Sequence, residues 1–230
     1  MSRQLHSRAM LLVLVLAFLV VGKPAGASVV IDFESLQHAD DLVTVHGPEY
    51  VEDGFRLIAT HPEPGNPLRI NTLGTMHFGF NGSTSAYNGV SNGEITLLRA
   101  DGLSFDLLSI ELTELPGGEF DDAGELRPVN LGPFGVTFSG QRLDGSTIIQ
   151  TFTVDNFLTP TTYAFSGFTG LVAVRWSQGA GGPTSPGHQF DNIIVAPVPE
   201  PMSIFAWSLV VFSMSVTFLT RRGIKAAVPQ

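Results

Sequence analysis

The sequence predicts an all-β body, an antiparallel β-sandwich of the jelly-roll type, and three observations carry that expectation. Runs of β-branched and aromatic residues recur in short, often alternating stretches through residues 28–196. Gly, Pro, Asn and Asp punctuate them. No window of helical length shows convincing 3.6-residue apolar spacing. About ten short strands separated by turn signals fit a sandwich or jelly roll. The lack of a fixed internal period excludes a propeller or solenoid.

From the N-terminus, Arg3 and Arg8 precede the apolar run AMLLVLVLAFLVV, and Ala25-Gly26-Ala27 supplies a small-x-small cleavage site. Residues 1–27 therefore read as a signal peptide, removed to leave Ser28 first; the run is short for a membrane span. In SVVIDFES, Val29, Ile31 and Phe33 point to one face, and Asp32 and Glu34 to the other. Ala39 to Val43 has room for one helical turn. GFRLIAT, EITLLRA and LSFDLLSIELTEL are the next strands. TELPGGEFDDAGELRPVNLGP reads as a solvated acidic connection, because it lacks the ligand order and placed glycine of an EF-hand. VTFSGQRL and STIIQTFTV flank LDGS (Leu143 to Ser146), where Asp-Gly predicts a type I′ hairpin turn. LVAVRW and QFDNIIV close the body, and VAPVPEP is a linker.

Met202 to Thr220 carries no charge and is long enough to cross about 30 Å of hydrocarbon as a helix. Trp207 suits an interface, and the cluster Arg221, Arg222 and Lys225 stays on the cytoplasmic side. The organisation is thus a signal peptide (1–27), a sandwich body (28–196) and a C-terminal segment (197–230) with a transmembrane helix at 202–220. Pro199 and Pro201 favour extended backbone, which makes Pro199-Glu200-Pro201 a stiff, exposed tag at the outer membrane face.

The charge distribution excludes one class of partner. Twelve basic side chains stand against twenty-one acidic ones, and between Ser28 and Val198 there is no Lys. So acidic a body repels nucleic acid. The chain has no cysteine, so an exported body depends on its core without disulfides. There is no nucleophile elbow, no Walker loop and no His pair at zinc-binding helical spacing. His38, His46, His61, His77 and His188 are scattered in loop-like contexts and read as surface residues.

VPEPMS, an apolar helix and Arg-Arg in that order resemble the PEP-CTERM sorting signal of bacteria. The resemblance covers about the last thirty residues. It implies recognition of Pro199, Glu200 and Pro201 by exosortase, a membrane-embedded cysteine transpeptidase-like enzyme, with Arg221 and Arg222 as the stop signal. It also implies export in a Gram-negative bacterium that makes exopolysaccharide. The body would first be anchored outside the cytoplasm by the C-terminal helix, then pass to the cell surface or extracellular matrix. The continuation GIKAAVPQ departs from the short basic ending of that signal.

The body carries carboxylates on its first and last strands. If those strands pair, Asp32 or Glu34 approaches Asp191, and oxygen-rich side chains at that distance suit a structural calcium ion. IDFE, GF, FDLLSIEL, VTFSG with LDGS, and FDNI resemble, loosely, extracellular β-sandwiches such as the galactose-binding-like jelly rolls of carbohydrate-binding modules. That resemblance implies calcium between early and late strands and a glycan ligand. Tyr50, Tyr87, Phe157 and Trp176 are the candidates for stacking on sugar rings. The functional expectation is a non-catalytic surface or matrix protein, sorted by exosortase, whose body associates with exopolysaccharide or the envelope. The alternative is a secreted carbohydrate-active hydrolase, for which nothing selects a pair among the many carboxylates.

Overall fold

The structure is a computed structural model that describes residues 27–61, 65, 69–89, 92–177 and 187–198. The signal peptide apart from its last residue, the Pro-Glu-Pro tag, the apolar segment 202–220 and the arginines at 221 and 222 fall outside the described residues. Ala27–Val198 forms one compact unit. Its strands begin with β1 Val29–Ile31, β2 Val43–Val45, β3 Glu49–Glu52, β4 Phe55–Thr60 and β5 Ile70–Leu73. Next come β6 Ala86–Asn88, β7 Glu94–Arg99, β8 Phe105–Leu115, β9 Gly117–Phe120 and β10 Leu126–Val129. The last are β11 Phe134–Arg142, β12 Thr147–Val154, β13 Thr161–Ala164, β14 Leu171–Ser177 and β15 Gly187–Pro197.

The strand pairs are antiparallel and fall into two layers. One runs β3-β4-β7-β14-β11-β12; the other runs β2-β5-β6-β15-β8-β13, with β1 on the flank of β15 that β6 also uses. A single pair, Leu171 with Phe105, links the layers by backbone pairing. The chain is therefore the all-β sandwich its patterning predicts. Alternation decides which side chains enter the core: in β4, Phe55, Leu57 and Ala59 are buried, and Arg56, Ile58 and Thr60 turn outward. Aromatic rings hold the layers together. Trp176 of β14 meets Phe190 of β15 edge-on at 5.2 Å and lies 5.3 Å from Phe138 of β11. Full burial of each such ring contributes about 1.5–3 kcal/mol.

Several local expectations are corrected. β1 ends at Ile31, because Phe33 takes a left-handed φ of 57° and starts a 3-10 turn at Glu34–Leu36. Glu34 is thus on a turn and not on the strand, while Phe33 remains in the core. The helical turn anticipated at 39–43 is absent: bends lead directly into β2. The acidic connection after β8 folds back as the hairpin β9–β10, with Phe120 opposite Leu126. The Asp144-Gly145 turn is not type I′, because only Gly145 (φ 83°) is left-handed. Gly145 N–H donates to the Arg142 carbonyl and Arg142 N–H to that of Ser146, which makes a three-residue loop. The two-residue type I′ geometry occurs between β3 and β4, where Asp53 (φ 46°) and Gly54 (φ 79°) are both left-handed.

Candidate functional site

Pairing of β1 with β15 sets Val29 opposite Val195 and Ile31 opposite Ile193, so the first and last strands are neighbours. The 3-10 turn that follows β1 then carries Glu34 toward Asp191. Ser83 stands between them: its hydroxyl lies 2.5 Å from Asp191 Oδ2 and 3.2 Å from Glu34 Oε1. Glu34 also accepts hydrogen bonds from the Thr84 N–H and hydroxyl. Glu111, opposite Asp191 in the β8–β15 ladder, accepts from Asn192 Nδ2 at 2.9 Å and from the Thr162 hydroxyl at 3.2 Å. Asn192 is left-handed (φ 44°), and the register shifts between Asp191 and Ile194, so a bulge marks this point of the ladder.

Burial pushes the Asp191 carboxyl up to about 7. The Ser83 hydroxyl and the Asn192 N–H pull it down, while the carboxylates of Glu111 and Glu34 add to the rise. A hydroxyl has one proton and cannot donate to Glu34 and Asp191 together. With Ser83 donating to one of them, a proton on either acid, or a cation between them, would relieve the remaining carboxylate repulsion. Asp32 does not take part. Its Oδ1 accepts the Glu34 N–H, and its charge acts instead on Glu52 and Tyr50. Of the three calcium candidates the structure brings Glu34 and Asp191 together and leaves Asp32 apart. Among the described residues, no group of three His, Cys, Asp or Glu side chains is placed to hold a metal ion.

The aromatic candidates for sugar stacking are mostly withdrawn from the surface. Trp176 is 2% exposed and Tyr87 8%, so neither offers a ring face to a ligand. The reason for Trp176 is position: β14 lies between β7 and β11, and alternation aims its even-numbered residues inward. Tyr50 is half-buried; its ring packs 5.3 Å from Phe33 and its hydroxyl lies 2.9 Å from that of Ser35. Phe157 is half-buried beside Glu114, with which it forms an isolated bridge.

Two histidines expected to be isolated meet instead. His46 Nε2 lies 2.7 Å from the Thr72 hydroxyl and His38 Nε2 3.4 Å from it, with Asp40 2.6 Å from His38 Nδ1. Thr72 is fully buried, so this group ties the loop before β2 to β5.

The outer face of the other layer is open and polar. Thr137, Ser139 and Gln141 of β11, Thr147, Ile149, Thr151 and Thr153 of β12, and Ala173, Arg175 and Ser177 of β14 lie on it. Ser139 sits beside Ile149 on one side and Arg175 on the other, and the hydroxyls of Thr137 and Thr151 are 2.8 Å apart. Ser139, Gln141, Thr147, Ala173 and Arg175 line a shallow depression of about 220 Å³. These three strands contain no Asp or Glu. Among the described residues, Arg175 has an acid within 4.0 Å in Glu94 at the rim. No sequence signal marked this face, because its small polar residues are individually ordinary.

No family model and no curated protein matches the chain. Among solved structures it is similar to CBM29_1, a family 29 carbohydrate binding module from Piromyces equi. That match has 11% identity and a TM-score of 0.36, covering 68% of this chain and 90% of that one. A CBM29-2 variant complexed with mannohexaose matches at 10% identity and a TM-score of 0.34, over 69% of this chain and 93% of that one. Another, complexed with cellulohexaose, matches at 12% identity and a TM-score of 0.35, over 67% and 91%. At such values the likeness brings no residue correspondence and no ligand to this chain.

Proposed function

We propose that the chain is an exported, non-catalytic surface or matrix protein, sorted by exosortase through its C-terminal segment, whose body associates with polysaccharide. The observation that carries the polysaccharide reading is the acid-free outer face of β11, β12 and β14 in an otherwise acidic body. Hydroxyl and amide side chains exchange hydrogen bonds with sugar hydroxyls, and Arg175 adds a charge-assisted donor for a hydroxyl or carboxylate. Export and sorting rest on the signal-peptide pattern and on Pro199-Glu200-Pro201 followed by the apolar segment and Arg221-Arg222. A structural calcium ion would be held by Glu34 and Asp191, supported by the convergence of both carboxylates on the one Ser83 hydroxyl.

Pull-down of the full-length protein on candidate exopolysaccharides, with the supernatant assayed for released sugars, tests the reading. Retention without product is expected. Arg175→Ala should weaken retention about tenfold or more, the loss of one hydrogen bond to a charged group at about 1.5–3 kcal/mol. Sugar release would make the body a hydrolase. Equal retention of the variant would remove this face from the binding.

A further inference from the structure

Strand β12 has one paired side and one open side. Its eight residues pair with β11 without a register shift, from Gln141–Thr147 to Phe134–Val154. Closure of the loop by Arg142 N–H on the Ser146 carbonyl fixes which backbone groups point inward. The alternation then aims the N–H and C=O of Thr147, Ile149, Thr151 and Thr153 away from β11. The Thr153 carbonyl is capped by the Tyr163 hydroxyl at 2.9 Å. Thr147, Ile149 and Thr151 have no backbone partner on the open side among the described residues.

Open edges are normally protected by charge, proline, a bulge or brevity. β2 has three residues, β13 has four, and β3 carries Glu49 and Glu52. β12 has none of these devices: TIIQTFTV contains no charged residue and no proline. It also displays Ile149, 65% exposed, at its centre. We propose that a second copy of this chain pairs antiparallel with β12 across a two-fold axis at Ile149.

The register is self-complementary. Ile149 exchanges N–H and C=O bonds with Ile149 of the second copy, and Thr147 does so with Thr151. The two Ile149 side chains meet on the outer face, flanked by threonine pairs. The chain's net charge of −9 opposes most approaches of two copies, but the acid-free strand does not. The dimer joins the two polar faces edge to edge and does not depend on their ligand.

The test uses the full-length chain in mild non-ionic detergent. It is expected to sediment at twice the mass of one chain, and Ile149→Lys, which sets two ammonium groups on the axis, to sediment at the mass of one. Because the chain has no cysteine, Ile149→Cys is expected to couple to itself with a short bis-maleimide. Leu143→Cys, in the loop beyond Ser146 and so more than three strand residues of about 3.3 Å from the axis on each copy, stays out of reach across it. A monomeric parent chain, or coupling no faster at 149 than at 143, overturns the proposal. If Ile149→Lys has lost its thermal transition, the coupling comparison decides alone.

Discussion

At the residue scale, burial sets which acids are poised. Glu114, on β8, is fully buried: one carboxylate oxygen accepts the Leu131 N–H, and the other has no hydrogen-bond partner. Burial raises its carboxyl above the ordinary value, the Leu131 N–H opposes the rise, and the Asp155 charge adds to it. The folded state therefore keeps this proton at a pH where the unfolded chain has released it. The stability that Glu114 contributes is greatest below the ordinary carboxylate range and is lost as pH rises through the elevated value. Glu114→Gln keeps the acceptor for Leu131 and removes the titration. Urea midpoints measured from about pH 4 to 7 should fall less steeply for the variant than for the parent chain. Parallel profiles would assign the pH dependence to other groups. Buried His188, opposite Glu114 in the ladder, is common to both proteins.

At the scale of elements, the junction of β1, its 3-10 turn and β15 is where the cation proposal is decided. If calcium joins Glu34 and Asp191, it binds only the folded body. At one hundred times its dissociation constant it adds about 2.7 kcal/mol. At about 2–4 °C per kcal/mol, the melting midpoint of the full-length chain should rise by roughly 5–11 °C over that in chelator. Asp191→Asn should remove most of that rise. In chelator it should cost little or even stabilise, because it takes a buried charge away from Glu34 and Glu111. Equal midpoints in calcium and chelator would leave Glu34, Ser83 and Asp191 a hydrogen-bonded group with no ion.

At the scale of the whole molecule, the sorting proposed for the C-terminal segment is separable from folding. The Pro-Glu-Pro tag and the arginines at 221 and 222 lie outside Ala27–Val198, whose core comes from its own strands. Glu200→Ala, or neutral residues in place of Arg221 and Arg222, should alter processing or topology while the body keeps its thermal transition. Mass and fractionation of the protein from strains with and without exosortase check this. A full-length C-terminus in both strains would reduce the segment to a plain anchor.

The sequence by itself determined the all-β class and the longer strands. The runs that became β4, β7, β8, β11, β12, β14 and β15 declare themselves through alternation and β-branched content, which are properties of neighbours in the chain. The short strands β2, β5, β6, β9, β10 and β13 were not legible, because residues such as AYN, GGEF and TTYA gain strand geometry only from a partner. The Asp53-Gly54 turn carried a hairpin signal as strong as the one at Asp144-Gly145, but its first strand, EYVE, is too short and polar to display it. Tertiary structure decided the rest: that Trp176 faces inward, that Asp32 acts on Glu52 and Tyr50 and not on Asp191, and that Ser83, far off in the chain, stands between Glu34 and Asp191. Those outcomes follow from which strands pair and which face a layer buries, and such long-range choices leave no local period in the sequence.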